Sequence, residues 1–390
     1  MHTVHLTTAW LHLPSTCRSA AFARFPVLNH TGVCYRRLLS GSARKGVNNE
    51  RPKGKKERIG PRLSKPFSRH SYKLLLAVLG VALADQTIRW LPSEKKVFDA
   101  PRFTPFTIVS RQEASPTSII LTLRPDVSTL KTDPYLKCWE KGTWSVEAKQ
   151  PLLQIARSYT PLPPDETTAL GDLRFLIRRE HKGEMSGYLH ALQPGAKIQL
   201  RGPHPEFNLP EMVTDVVFLA GGTGIAPALQ IVYTLLEFRR AEDRPRIRVV
   251  WANRRREDCV GGISSAIEAR KSPPKEVGIV VKEIQRLQQR YPEHLQVEYL
   301  VDEEGIFLDQ NRLSRLTKSE SEVKFGPVTT RIDSRLLFVS GPEGFVNHFA
   351  GPKEWQDGKQ VQGGLGGILG RMRLRDWKVS KLWAGNWNEL

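Results

Sequence analysis

The chain has 390 residues, enough for two ordinary domains with appendages, and its 39% hydrophobic and 8% aromatic content excludes a disordered protein. Its four cysteines are too few for a disulfide framework, and Cys138 and Cys259, the pair outside the N-terminal stretch, lack zinc-site spacing, so no metal centre is expected. The net charge of +19 is unevenly spread, and its basic run lacks the interleaved aromatics of a nucleic-acid-binding surface.

Residues 1–48 contain Arg18, Arg24, Arg36, Arg37, Arg44 and Lys45, with no acid before Glu50. Such an Arg-bearing, hydroxyl-rich stretch fits a mitochondrial targeting segment, or else a plain basic arm. Residues 49–73 continue as a basic linker through Lys53, Lys55, Lys56 and Arg58. Residues 74–91 are a candidate membrane anchor. The purely apolar part, Leu74 to Ala84, spans roughly 16 Å as a helix against about 30 Å of hydrocarbon, so Tyr72, Lys73 and Trp90 are needed as snorkelling ends. A buried helix is the other reading. An anchor in the mitochondrial inner membrane would leave the N-terminus in the matrix, with the rest of the chain facing the intermembrane space.

Residues 102–210 read as short strands: Phe106 to Val109, Ser118 to Leu123, Thr143 to Glu147, Leu152 to Ala156, Leu173 to Ile177 and Ala196 to Leu200. They are β-branched or aromatic, partly alternating, and broken by Pro, Gly and Asp, which predicts an antiparallel barrel. Over 211–350 the period changes. Val216 to Ala220 is wholly apolar, and Ala228, Ile231, Val232, Leu235 and Leu236 then share one helical face. Further strands are expected at Arg248 to Ala252, Leu295 to Leu300 and Arg335 to Val339, with a loop over Ser319 to Thr330. Alternating strand and helix predicts a doubly wound parallel sheet.

Four short motifs could carry chemistry. At the first strand-to-turn exit stand Arg157, Ser158, Tyr159 and Thr160 before Pro161. This offers a forked phosphate donor, a flat phenol and a hydroxyl, stiffened by the proline. Taken alone, it has a polar surface turn as its lesser reading. In the second, Gly183 permits close backbone approach near Met185, and Ser186 is expected to cap a helix whose free N–H groups attract phosphate, although alone the segment is equally a plain capped helix. The third, Gly221, Gly222, Thr223 and Gly224 before Pro227, lies between an apolar strand and a helix, which suits a nucleotide diphosphate or plain helix–strand packing. The fourth, Ser340, Gly341 and Pro342, ends the last apolar strand, where a doubly wound sheet presents ligands, and is equally readable as a structural turn.

In this order and spacing the motifs resemble the ferredoxin–NADP reductase superfamily, nearest its cytochrome b5 reductase branch, over residues 102–350. The resemblance implies an FAD-binding barrel over 102–210 and an NAD(P)-binding domain over 211–350. Arg157, Ser158, Tyr159 and Thr160 would bind FAD, and Gly183, Met185 and Ser186 its pyrophosphate. Gly221, Gly222, Thr223, Gly224, Gly341 and Pro342 would hold NADH or NADPH. Thr160 and Ser340 would be the catalytic pair, with electrons passing from NAD(P)H through flavin to an acceptor. Arg201 to Pro203 resembles the turn leaving the barrel, with Pro205 where glycine is common. Ser340 stands where the family usually has cysteine.

Residues 351–390 form an extension with Gly363 to Gly370, Trp377, Trp383 and Trp387. With the presequence and anchor, this extension resembles the cytochrome c import factor flavoproteins of fungal mitochondria. That likeness implies haem as acceptor, with apocytochrome c and its haem-attachment enzyme as partners at the inner membrane. A cytochrome b5 or quinone reductase and a redox-silent assembly factor are the rival readings. Arg254, Arg255 and Arg256 favour NADPH by charge, whereas Glu257 and Asp258 resemble the acidic continuation of NADH-using relatives.

Overall fold

The computed structural model describes Lys73, Val97 and residues 100–127, 130–264, 275–318, 335–357, 359–372 and 374–382. The expected targeting segment, the linker up to residue 72, the anchor, the loop over Ser319 to Thr330, and Trp383 and Trp387 lie outside the described residues.

The first sheet contains β1 (Thr104–Ser115), β2 (Ser118–Pro125), β3 (Gly142–Gln150), β4 (Ile155–Tyr159), β5 (Leu173–Arg178) and β6 (Lys197–Asn208). Its order is β4-β3-β6-β1-β2-β5, and every pairing is antiparallel. Just past β4, the Leu162 N–H donates to the Arg174 carbonyl of β5 at 2.7 Å. That bridge brings the two edges together and curls the sheet into the expected barrel. Alternation fills it: Ile198 and Leu200 of β6 point inward beside Phe106, Ile108, Leu121, Val146 and Phe175, while Lys197 and Gln199 point out. The helix α1 (Leu136–Lys141) adds Trp139, whose ring meets that of Trp144 edge-on with centroids 4.8 Å apart.

Two expected strand limits shift. Leu152 and Leu153 belong to the β3–β4 turn and stand 89% and 53% exposed. Their apolarity mimics a strand, but the turn following Pro151 leaves them outside the ladder. The Arg201 to Pro203 stretch is no exit turn. It lies within β6, opposite a register shift of β3, so the strand bends without ending.

The second sheet has the order β13-β10-β7-β8-β9, all parallel. These are β7 (Asp215–Gly221), β8 (Arg246–Asn253), β9 (Leu295–Val301), β10 (Arg335–Ser340) and β13 (Lys378–Leu382). β7 is buried at all seven positions, as expected of a strand covered on both faces. The helix α2 (Glu184–Ala191) lies between β5 and β6, and the barrel is followed by α3 (Ile225–Glu237), α4 (Ile279–Arg290), α5 (Gln310–Thr317), α6 (Glu343–Ala350) and α7 (Gly367–Arg371). A small hairpin, β11 (Glu354–Gln356) with β12 (Lys359–Val361), precedes α7.

The parallel sheet therefore continues past residue 350. Its edge strand β13 comes from the extension, and Ile368, Leu369 and Trp377 join the apolar cluster under β7 and β10. Lys381, 3% exposed, fastens this strand: its ammonium donates to the Pro352 and Gly364 carbonyls at 2.7 and 2.9 Å. The glycine-rich run before β13 serves this packing, since a Cβ on Gly367 would lie 2.4 Å from the His348 carbonyl oxygen.

Candidate functional site: a cleft between barrel and nucleotide sheet

Both ends of the Arg157 to Thr160 motif are fixed. β4 is in register with β3, pairing Tyr159 with Val146, Ser158 with Glu147 and Arg157 with Ala148. On the far side, the Pro161 carbonyl accepts from Gln230 Nε2 at 2.9 Å, and Gln230 Oε1 accepts the Trp144 N–H at 3.0 Å. Gln230 is fully buried in α3, the helix that follows the glycine turn, so one amide side chain aligns the two motifs across the domain junction. Thr234, one turn later, donates to the Trp139 carbonyl at 2.6 Å.

The second motif differs from expectation in one respect. The N-cap of α2 is Gly183, and Ser186 lies inside the helix. Its hydroxyl accepts the Glu180 N–H and donates to the Gly183 carbonyl, both at 3.1 Å. Ser186 thus folds the entry loop back on the helix instead of capping it. Gly183 has no room for a side chain, because a Cβ there would lie 2.5 Å from Ser186 Oγ.

Arg157, Ser158, Tyr159, Thr160, Gly183, Met185, Ser186 and Thr223 all line one cavity of about 380 Å³. Residues missed in the sequence join them, notably Arg178, Glu180 and Lys182. A signal for Arg178 was present, since it is the last residue of the apolar strand β5. Burial pushes the Tyr159 phenol up, so it stays protonated across the ordinary pH range. The hydroxyls of Ser158 and Thr160 are buried without a hydrogen-bond partner. Buried hydroxyls in that condition are rare unless a ligand completes them.

The third and fourth motifs meet through their backbones. A Cβ on Gly224 would fall 2.3 Å from the Ser340 carbonyl oxygen, and one on Gly341 would fall 3.0 Å from the Gly221 Cα. Only glycines allow the ends of β7 and β10 to approach so closely. Pro342 is the N-cap of α6. Of these two turns only Thr223 reaches the large cavity; Gly222 lines a smaller adjoining one with Trp251, whose Nε1 donates to the Gly222 carbonyl at 2.8 Å.

The arginine cluster after β8 is mostly committed within the protein. Arg256 makes a forked pair with Glu304, at 2.7 and 2.6 Å, and its N–H donates to Glu303 at 2.6 Å. Arg255 pairs with Glu257 at 3.0 Å. Among the described residues no group of three or more His, Cys, Asp or Glu could hold a metal ion. No helix among them is long and apolar enough to cross a membrane.

The residues present fit a flavin nucleotide. Arg157, Lys182 and Arg178 supply cations, the Ser158 and Thr160 hydroxyls await partners, and Tyr159 offers a ring face beside them. The Arg157 guanidinium is itself exposed, with NH1 donating to the Ala156 carbonyl.

Comparison with known proteins agrees with this arrangement. The oxidoreductase FAD-binding domain family matches residues 143–209, and the oxidoreductase NAD-binding domain family matches residues 218–266. NADH-cytochrome b5 reductase 2-B of Vanderwaltozyma polyspora is 26% identical over 66% of this chain and 74% of its own length. NADH-cytochrome b5 reductase 1 of Pyricularia oryzae is 32% identical over 43% of this chain and 54% of its own. Among solved structures, the cytochrome b5 reductase domain of Ulva prolifera nitrate reductase is 17% identical, with a TM-score of 0.45 over 64% of this chain and 91% of that one. The chain is an NAD(P)H-dependent flavin oxidoreductase with an FAD-binding domain followed by an NAD-binding domain, homologous to the NADH-cytochrome b5 reductases.

Proposed function

We propose that this protein passes electrons from NADH through FAD to a haem acceptor, and that it does so at the mitochondrial inner membrane in support of haem attachment to cytochrome c. The observation that carries the electron-transfer reading is the single cavity lined by the barrel motif, the Gly183 to Ser186 motif and Thr223 of the glycine turn. Bound FAD supplies the chemistry of taking up a hydride and giving up electrons singly. The protein's own part is placement. Arg157 and Lys182 offer charge to a diphosphate, and Thr160 presents an unpartnered hydroxyl inside the cleft. The close approach of Gly341 to Gly221 at the ends of β10 and β7 is the strand-end position where a second nucleotide would bind.

NADH is favoured over NADPH because Glu304 and Glu257 already pair with Arg256 and Arg255, two of the three arginines that a 2′-phosphate would otherwise recruit. The haem-attachment reading, with apocytochrome c and its attachment enzyme as partners, draws on the N-terminal segments and the extension. The relatives named for cytochrome b5 support that protein as the alternative acceptor.

The test is anaerobic. The reduced protein is mixed with haemin, cytochrome b5 and a soluble quinone, and the rate of acceptor reduction is followed for each. Fastest reduction of haemin supports the proposal. Fastest reduction of cytochrome b5 or the quinone replaces it with that reductase, and reduction of none removes the electron-transfer role.

A further inference from the structure

Asp258 lies in the 3-10 turn Arg256–Cys259 after β8, in the NAD-binding domain, yet its hydrogen bonds go to the barrel. Its Oδ1 accepts from the Ser115 hydroxyl at 2.9 Å and from the Thr117 hydroxyl at 2.7 Å, both in the β1–β2 hairpin region. Its Oδ2 is buried and accepts no hydrogen bond. That oxygen faces Arg178 NH1 at 3.6 Å. The Asp258 side chain is only 6% exposed and that of Arg178 21%, so water screens the pair little.

Arg178 occupies a particular place. It lines both the 380 Å³ flavin cleft and the small adjoining cavity that contains Gly222, Trp251 and Asn253. Its NH1 would be the nearest atom, at 3.6 Å, to a Cβ built on Gly222. A long cation at that passage has many rotamers, and holding one of them costs entropy unless a fixed partner selects it. The carboxylate of Asp258 is such a partner, because two barrel hydroxyls anchor one oxygen and leave the other turned to the guanidinium.

We propose that Asp258 is a positioning residue: reaching across the domain junction, it holds the Arg178 guanidinium between the flavin cleft and the glycine turn, ready for the phosphate of the incoming dinucleotide. This rests on the reading that a nicotinamide nucleotide binds at Gly222. The pair adds to the neutral ties that Gln230 and Thr234 make across the junction and to the ion pair of Arg174 with Glu283.

The experiment uses the full-length flavoprotein and its D258N, R178Q and D258N/R178Q variants, with D258E as the conservative control. Flavin content and absorbance spectrum are recorded first, then anaerobic flavin reduction across a range of NADH concentrations. The expected result is that D258N retains its flavin and raises the NADH concentration for half-maximal reduction about tenfold, with a smaller change in the limiting rate. R178Q shows a rise at least as large, the double variant is no worse than R178Q, and D258E recovers part of the loss. Additive effects of the two substitutions would overturn the proposal, because Asp258 would not then act through Arg178. Unchanged NADH dependence in D258N, or in R178Q, would do the same. Wild-type protein that dithionite reduces but NADH and NADPH do not would instead remove the underlying nucleotide reading, and this role with it.

Discussion

At the scale of single residues, the cleft is held by groups with no slack. Thr160 is 6% exposed, its hydroxyl lacks a partner, and the next residue is fixed by Gln230. Thr160→Val keeps the shape and removes the hydroxyl, so FAD should remain bound while reduction by NADH slows on the order of tenfold or more. Stopped-flow absorbance checks this, and an unchanged rate would deny Thr160 its role. Gly224 makes a different kind of prediction. A Cβ there meets the Ser340 carbonyl at 2.3 Å, and backbone cannot step aside as a flexible side chain can. Gly224→Ala should separate the two turns, weakening NADH binding in titration while leaving the barrel motif and its flavin in place.

At the scale of elements, buried polar side chains tie strands and helices at a few points. Gln230→Leu leaves the Trp144 N–H and the Pro161 carbonyl unpaired between α3 and the barrel. The expected cost is roughly 1–3 kcal/mol, read from denaturant unfolding. On β3, Glu147 is 5% exposed and pairs with Arg201 at 2.5 Å, with His204 at 3.6 Å. Burial alone would raise its carboxyl, but His204 and Arg201 outweigh burial and hold it below the usual range. The unfolded chain therefore binds this proton more readily. The stability it contributes is present above the ordinary carboxylate pKa and is lost as pH falls through the depressed folded value. E147Q should flatten that part of the acid unfolding profile; an identical acid slope in the variant would show that the pair contributes nothing. The extension is also structural at this scale. Deleting the residues after Gly351 removes β13 from beside β10 and uncovers Leu336 to Val339, so the truncated protein should lose its cooperative thermal transition.

For the whole molecule, what could be read from sequence was local. The apolar run of β7 and the helical spacing of α3 each lie within a short stretch, and both elements are found where expected, while of the four motifs the first two and Thr223 line one cavity and Ser340 to Pro342 do not. The ties that assemble the cleft were hidden because their partners are distant: Gln230 reaches Pro161 across 69 positions, and Asp258 reaches Ser115 across 143. Residue type alone gives no reason to choose those two among the chain's other amides and acids. Ser186 misled for a related reason, since a serine near a helix start suggests a cap until the glycine before it is seen to take that position. The composition of the extension gave no choice between a partner surface and core packing, because the close glycine contacts that deliver β13 to the sheet edge are made with distant residues.

The central claim is that one cleft brings a flavin and a nicotinamide nucleotide together, and an anaerobic spectral titration of the purified full-length protein tests it most directly. The account predicts a flavin spectrum that NADH bleaches stoichiometrically, with NADPH much less effective because Arg255 and Arg256 are already paired. A bound flavin that neither nucleotide bleaches would contradict the account and leave the protein a flavin-stabilised assembly factor.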